Sequence, residues 1–401
     1  MEAKRTNRDG GVSLPEDVVF EVLARLPAKT LCRFRCVCKG WCALIGNPAF
    51  VAAQRSRAGP HVVGVLHKAF PPQMLVMDMD GNVVRASEMT TMCTRTPLPT
   101  QPDLICVDEE QLSPQAGAAM VIDPAAGRAY TVFSKSDPPT PWGFTCSTSF
   151  GRATPSGAFK FIRLQEPCWH DDDGGHVVCK VATITDGGGT GPPTWRRRSA
   201  PPFVTGSGRD QKVVLNGCLY CISCKLKFGG DVHGGDDTAP SPCWNRIAAF
   251  DLESEEWKAE VINGPTLMRH HKEEELWCIA LVEIKGTLAV VDAHVDNQDV
   301  TIWLLVDPEK SVWVKECRIQ VPGNLILTTK LLGDVLGDKR LLLLVQRIEE
   351  ETRQNKTGSH VVDSLLFYNP STKAFTDLLR CRSDLLDIYW SFYTGSLLSC
   401  S

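Results

Sequence analysis

AAFDLESEEW (Ala248–Trp257), LLVDPEKSVW (Leu304–Trp313) and LFYNPSTKAF (Leu366–Phe375) share one pattern. Three apolar residues lead to Asp or Asn, and an aromatic follows six positions later. An Asp or Asn side chain bonds its own backbone a few residues on, which closes a turn. The apolar run reads as a strand, and the aromatic begins the return strand and packs on a neighbouring sheet. Each copy is therefore a hairpin. A looser copy is MVIDPAAGRAY (Met120–Tyr130), with the aromatic one step late, and a longer-looped one is TITDGGGTGPPTW (Thr183–Trp195).

Upstream of each late copy lies a second hairpin pattern: VVLNGCLYCI (Val213–Ile222), VEIKGTLAVV (Val282–Val291) and DVLGDKRLLLLV (Asp334–Val345). Asn-Gly, Lys-Gly and Gly-Asp mark the tight turns. Two hairpins per repeat make a four-stranded sheet, one blade of a β-propeller. The Asp/Asn positions recur every 56 to 65 residues. A stretch of about 340 residues at about 55 per blade predicts about six blades, with five to seven in range. A β-sandwich with insertions is the alternative fold. The Gly/Pro/Asp-rich stretches Asp171–Gly175, Asp186–Pro193 and Phe228–Pro242 read as rim loops.

The first sixty residues follow another rule. SLPEDVVFEVLARLP (Ser13–Pro27) places Ser13 three residues before Glu16, the spacing of a capping box. Val18, Val19, Val22, Leu23 and Leu26 then form a broad apolar helix face, and Pro27 stops the helix. In LCRFRCVCKGWC (Leu31–Cys42) and the residues after it, Phe34, Val37, Trp41, Leu44 and Ile45 fall on one stripe about 100° wide, so one continuous helix is expected. Thr30 is placed to cap it and Asn47-Pro48 to end it, with a short helix over Pro48–Arg55. Cys32 and Cys36 point away from Cys38 and Cys42, so four thiolates cannot meet on one zinc. Three short helices cannot hide this much apolar surface from one another, so the unit must complete its core against another protein or domain.

These residues resemble the F-box of plant F-box proteins. The pattern is Leu14-Pro15, Val18-Val19, Val22-Leu23, Leu26-Pro27, Leu31, Arg33-Phe34-Arg35, Val37-Cys38-Lys39, Trp41, Leu44-Ile45, Pro48 and Phe50. Valines at Val18, Val19 and Val22 replace the usual Leu/Ile, and Gly46 stands where a polar residue is commoner. The rest resembles the F-box-associated, kelch-like β-propeller that follows the F-box in many plant proteins, although clean kelch Gly-Gly pairs are absent. The resemblance implies a disordered 1–12, an F-box over 13–55 and a propeller over 60–401. It implies docking on Skp1, and through it on cullin, with contacts from Leu14, Pro15, Val22, Leu23, Leu26, Leu31 and Trp41. It further implies the substrate adaptor of an SCF ubiquitin ligase, binding a protein substrate and catalysing nothing itself.

The totals agree with that expectation. Residues 1–60 hold ten Lys/Arg against five Asp/Glu, while the whole chain is at −4. A basic head fits an acidic adaptor, and the acidic remainder argues against nucleic acid or anionic membrane. The N-terminus has no signal-peptide core, and no apolar run reaches membrane-spanning length, so cytoplasm or nucleus is expected. Seventeen scattered cysteines then read as reduced thiols. No motif supplies a nucleophile elbow, a zinc helix or a phosphate loop. Cys218, Cys221 and Cys224 alternate faces on a strand, which spoils a shared metal site. Trp169–His176 and Arg269–Glu275 read as solvated segments, and Trp195–Ser199, with three arginines, as an ordinary charged loop. No cofactor or metal is expected. Two rivals are a propeller enzyme, a sugar hydrolase or oxidase with a helical cap, and an F-box scaffold outside ubiquitination.

Overall fold

A computed structural model describes residues 14–57, 59–66, 73–88, 95–97, 105–109, 118–123, 128–133, 144–167, 177–184, 194–203, 205, 211–223, 246–265, 279–294, 298–323, 326–334, 340–353, 356–382 and 388–393. Four helices come first: α1 (Glu16–Leu23), α2 (Ala28–Phe34), α3 (Lys39–Ile45) and α4 (Pro48–Arg57). Leu23, Leu31, Ile45 and Phe50 close their small core, and Phe20 meets Phe50 edge-on at 5.1 Å.

The continuous helix expected across Leu31–Cys42 is corrected to two. The chain leaves α2 at Arg35, and Cys38 turns to extended backbone as the N-cap of α3, its Sγ accepting the Trp41 N–H at 3.4 Å. Apolar spacing carries through the break, so periodicity alone cannot see it. One expected cap is also corrected. Pro27, not Thr30, precedes α2; Pro15 stands directly before α1, Ser13 lies outside the described residues, and among those described no side chain makes a cap bond to either helix. Asn47 does cap α4, its Oδ1 accepting the Ala49 N–H at 2.8 Å.

Everything else described is β-structure in six antiparallel sheets. Sheet I contains β1 (His61–Leu66), β2 (Gln73–Met77) and β3 (Val83–Glu88). Sheet II is β4 (Arg95–Pro97), β5 (Ile105–Glu109), β6 (Ala118–Asp123) and β7 (Arg128–Phe133). Sheet III is β8 (Phe144–Arg152), β9 (Phe159–Pro167), β10 (Val178–Ile184) and β11 (Trp195–Arg198). Sheet IV is β12 (Lys212–Leu215), β13 (Cys218–Ile222), β14 (Arg246–Asp251), β15 (Glu256–Trp257) and β16 (Ile262–Asn263), the last two both pairing with β14. Sheet V is β17 (Ile279–Ile284), β18 (Thr287–His294), β19 (Asp299–Asp307) and β20 (Val312–Gln320). Sheet VI is β21 (Ile326–Asp334), β22 (Leu341–Arg353), β23 (Lys356–Asn369) and β24 (Ala374–Arg382). The last strand, β25 (Ile388–Tyr393), returns to sheet I and pairs with β1.

This is a propeller, not a sandwich. The first strands of successive sheets touch, β8 with β12, β12 with β17, and β17 with β21; β21 then meets β25, and β25 meets β4. Sheets I, III, IV, V and VI pack face to face through described side chains, while sheet II is described by its pairing. Alternation within each strand feeds two seams. In β22, Leu341, Leu343 and Val345 face sheet V, while Leu342 and Leu344 face sheet I.

The Asp/Asn pattern forms the turns between third and fourth strands. Asp251 Oδ1 accepts the N–H groups of Glu253 and Ser254 at 2.8 and 2.9 Å; Asn369 Oδ1 accepts that of Ser371 at 2.9 Å. Asp307 Oδ1 accepts that of Lys310 at 3.1 Å. The fourth residue after each anchor is left-handed: Glu255, Ser311 and Lys373, with φ of 59°, 53° and 57°. The looser copies also pair as hairpins, Asp123 opposite Arg128 and Ala182 opposite Trp195. Asn216-Gly217 and Lys285-Gly286 form the tight first turns, with positive φ at both residues. The first strand expected at Asp334 instead ends there, and the Gly-Asp turn lies outside the described residues.

All these turns lie on one rim of the ring, called here the turn rim. The strand ends that lead from second to third strands, and from one sheet to the next, lie on the opposite, loop rim. The helices join at the turn rim: α4 ends at Arg57, and β1 begins at His61 opposite Tyr393, where the chain leaves β25.

Candidate functional site

The helical head leaves one apolar face outside its core. Leu14, Val18 and Val22 stand four residues apart at the start of and along α1, and are 61%, 41% and 56% exposed. Four residues is just over one helical turn, so the three share a face. Fully burying each such side chain is worth about 1.5–3 kcal/mol. Asp17, Val18, Glu21, Val22 and Arg25 line a shallow groove beside them. Glu21 accepts two bonds from the Arg57 guanidinium at 2.9 and 3.0 Å, which tie α1 to α4. Val37, in the turn between α2 and α3, is 61% exposed.

The expected adaptor contacts divide into three groups. Leu14, Pro15 and Val22 lie on the surface; Leu26 and Trp41 are half-buried, with Trp41 against Phe34 at 5.3 Å. Leu23 and Leu31 are in the head's own core, so in this conformation they hold the surface from beneath. Val18 completes the exposed stripe. It was read only as part of a broad face, because sequence cannot say which half of that face a short α2 and α3 will cover.

The chemical candidates on the propeller take other roles. The arginines of Trp195–Ser199 are on strand β11, not in a loop. Arg196 and Arg198 converge with Lys160 on the buried carboxylate of Glu255, Lys160 Nζ at 3.0 Å and Arg198 Nε at 2.7 Å. Arg196 also donates to Thr183 Oγ1 at 2.7 Å. Burial opposes the Glu255 charge, but the bonds and charges of Arg196 and Lys160 outweigh it and hold the carboxyl down at about 2. The left-handed backbone at Glu255 turns its side chain toward sheet III, so this cluster is a clamp between sheets III and IV. Arg163 lies over the Trp195 ring at 4.6 Å.

Cys221 faces the seam with sheet III, while Tyr220 and Ile222 face the seam with sheet V. Burial pushes the Cys179 thiol up to about 12 and raises that of Cys218, so neither is a ready thiolate. Among the described residues no three His, Cys, Asp or Glu side chains gather as metal ligands, and no helix is long and apolar enough to cross a membrane. Cys224, Trp169–His176, Arg269–Glu275 and the three Gly/Pro/Asp-rich stretches lie outside the described residues.

Residues 12–52 match the F-box domain family. The chain is 23% identical over 336 residues to F-box protein At5g65850 of Arabidopsis thaliana, covering 77% of this chain and 71% of that protein. It is 26% identical over 339 residues to F-box protein At1g30790 of the same plant, covering 76% and 75%. Among solved structures it resembles an exo-β-1,3-galactanase from Clostridium thermocellum, with 11% identity, TM-score 0.37 and coverage of 75% and 66%. It also resembles the β-propeller domain of the Trilobed protease from Pyrococcus furiosus, with 12% identity, TM-score 0.30 and coverage of 72% of each chain. The N-terminal helices are thus an F-box domain, and the chain they open is similar over most of its length to F-box proteins of Arabidopsis thaliana.

Proposed function

We propose that the protein is the substrate-recognition subunit of an SCF-type ubiquitin ligase. The F-box docks a Skp1-like adaptor, which joins it to cullin, and the propeller, which we count as six kelch-like blades with sheet II included, binds the target protein. Such a subunit needs no nucleophile; it raises the local concentration of target lysines near the ubiquitin donor. The reading places it in cytoplasm or nucleus.

One observation carries this reading: Leu14, Val18 and Val22 remain exposed although the F-box has already closed a core around Leu23, Leu31, Ile45 and Phe50. An apolar face left over after folding is a binding face. The test is capture of a plant Skp1-like adaptor by the double variant Val18→Asp, Val22→Asp. Both positions are exposed, so the helices stay folded. Capture should weaken about a hundredfold, as for loss of a buried anchor worth about 2–4 kcal/mol. Undiminished capture, with an unchanged helical signal, would defeat the proposal.

A further inference from the structure

The outermost strand of sheet III is built of arginine. β11 carries Arg196, Arg197 and Arg198 and no acid. The outer strands β3, β15, β20 and β24 each carry one, at Glu88, Glu256, Glu316 and Asp377. Side chains alternate along a strand, so Arg196 and Arg198 turn to the seam with sheet IV and Arg197 to the other face. Arg197 is exposed, and its guanidinium has no partner among the described residues. Lys180 stands directly opposite it on β10, and like charges placed so repel.

The neighbouring carboxylates do not balance this strand. Glu255 is already shared by Lys160, Arg196 and Arg198. Glu253 accepts from the Ser156 hydroxyl at 2.6 Å, at the turn of sheet III. Lys160 and the three arginines therefore stand against two carboxylates, an excess of two positive charges. Arg198 also donates from Nη1 to the Arg197 carbonyl at 3.1 Å, which brings its guanidinium back toward Arg197. Arg196 and Arg198 both stay partly exposed, so the excess meets solvent.

Charge and shape select the occupant. Arginine forks match the paired oxygens of a carboxylate or a phosphate. A phosphate monoester carries close to two negative charges, the size of the excess, and a carboxylate carries half of that. The strand spans about 13 Å, too short to track a nucleic-acid backbone, and the chain as a whole is at −4.

We infer that β11 docks the target protein through a phosphorylated side chain, held by the Arg197 guanidinium with Arg198 beside it. The inference rests on the reading of the propeller as the target-binding part. The target is then read only after a phosphoryl-transfer reaction has marked it.

The test uses the full chain and a fluorescent peptide library with one fixed phosphoserine and degenerate positions on both sides. The same library with plain serine and a single-stranded oligonucleotide serve as comparisons. The phosphorylated library should bind at least about tenfold more tightly than either. Arg197→Gln should weaken it about tenfold while leaving thermal unfolding and adaptor capture unchanged, because Arg197 supports no other side chain. Arg197→Lys, which keeps the charge and loses the fork, should fall between. Equal binding of the plain serine library, an oligonucleotide bound as tightly, or undiminished binding by Arg197→Gln would overturn the inference. Adaptor capture is read in the same samples: its absence in the unaltered chain defeats the F-box reading, whereas its presence beside failed phosphopeptide binding defeats only the role of β11.

Discussion

The F-box and the seam between sheets III and IV handle exposed surface in opposite ways. The F-box buries Leu23, Leu31, Ile45 and Phe50 and leaves Leu14, Val18 and Val22 in water. The seam buries nearly all it has, including the charged Glu255 and Lys160, each below a tenth exposed. A seam between blades must hold a register, and a directional ionic clamp supplies it beside the non-directional packing of Ile162, Leu219 and Phe250. Under the proposed function the F-box face awaits a partner, and apolar side chains suit it because they tolerate water at low cost while they wait.

The comparison breaks first at Leu23. Leu23→Asp puts a carboxylate into the F-box core and should cost more than about 4 kcal/mol, unfolding the helices and abolishing adaptor capture while the propeller still melts normally. Circular dichroism of the full chain, beside a capture assay, checks this. If Leu23→Asp keeps its helical signal, the residue is not interior.

Glu255→Gln comes next. It leaves Lys160 and two arginines facing a neutral amide, at a cost of about 2–3 kcal/mol after allowing for the partly exposed arginines. Because the folded carboxyl is held at about 2, below its ordinary 4.5, its contribution is complete above about pH 4.5 and is lost as pH falls toward 2. Urea midpoints between pH 5 and 3 should therefore fall more steeply in the unaltered chain than in Glu255→Gln. Parallel slopes would show that the clamp carries no differential charge.

Smaller effects sharpen the same contrast. Trp257 Nε1 donates to the Ser199 carbonyl at 3.0 Å and Trp313 Nε1 to the Asn263 carbonyl at 2.7 Å, so the repeated aromatic ties sheet IV to sheet III and sheet V to sheet IV. Trp313→Phe keeps most of the packing and should cost about 1 kcal/mol by urea unfolding. Smallest is Cys38→Ser in the F-box. A hydroxyl caps better than a thiol, and the helices should gain a few tenths of a kcal/mol in their own transition.

What sequence could show follows the range of the interactions. The Asp-to-aromatic hairpins were legible because a turn is chosen by residues a few positions apart. The similar turn at Asp78, whose Oδ1 accepts the Asn82 N–H at 2.8 Å, was missed because no aromatic follows it. Val84 stands there. Glu255 was hidden among the charges of ESEEW, since its partners lie 95, 59 and 57 residues back. The exposed stripe of α1 was legible as apolar, but its division between inside and outside depends on the break at Cys38, which hydrophobic spacing cannot reveal. Rim assignment needed the strand order, because only pairing shows that β25 closes on β1.

That closure gives synthesis on the ribosome a particular order. The F-box is complete once Arg57 has emerged, whereas sheet I lacks its inner strand until residues 388–393 have been made, over 300 residues later. At common elongation rates the interval is tens of seconds. On the function proposed above, a nascent chain recruits an adaptor while its ring is still open, and that binding certifies nothing about whether the propeller has been finished.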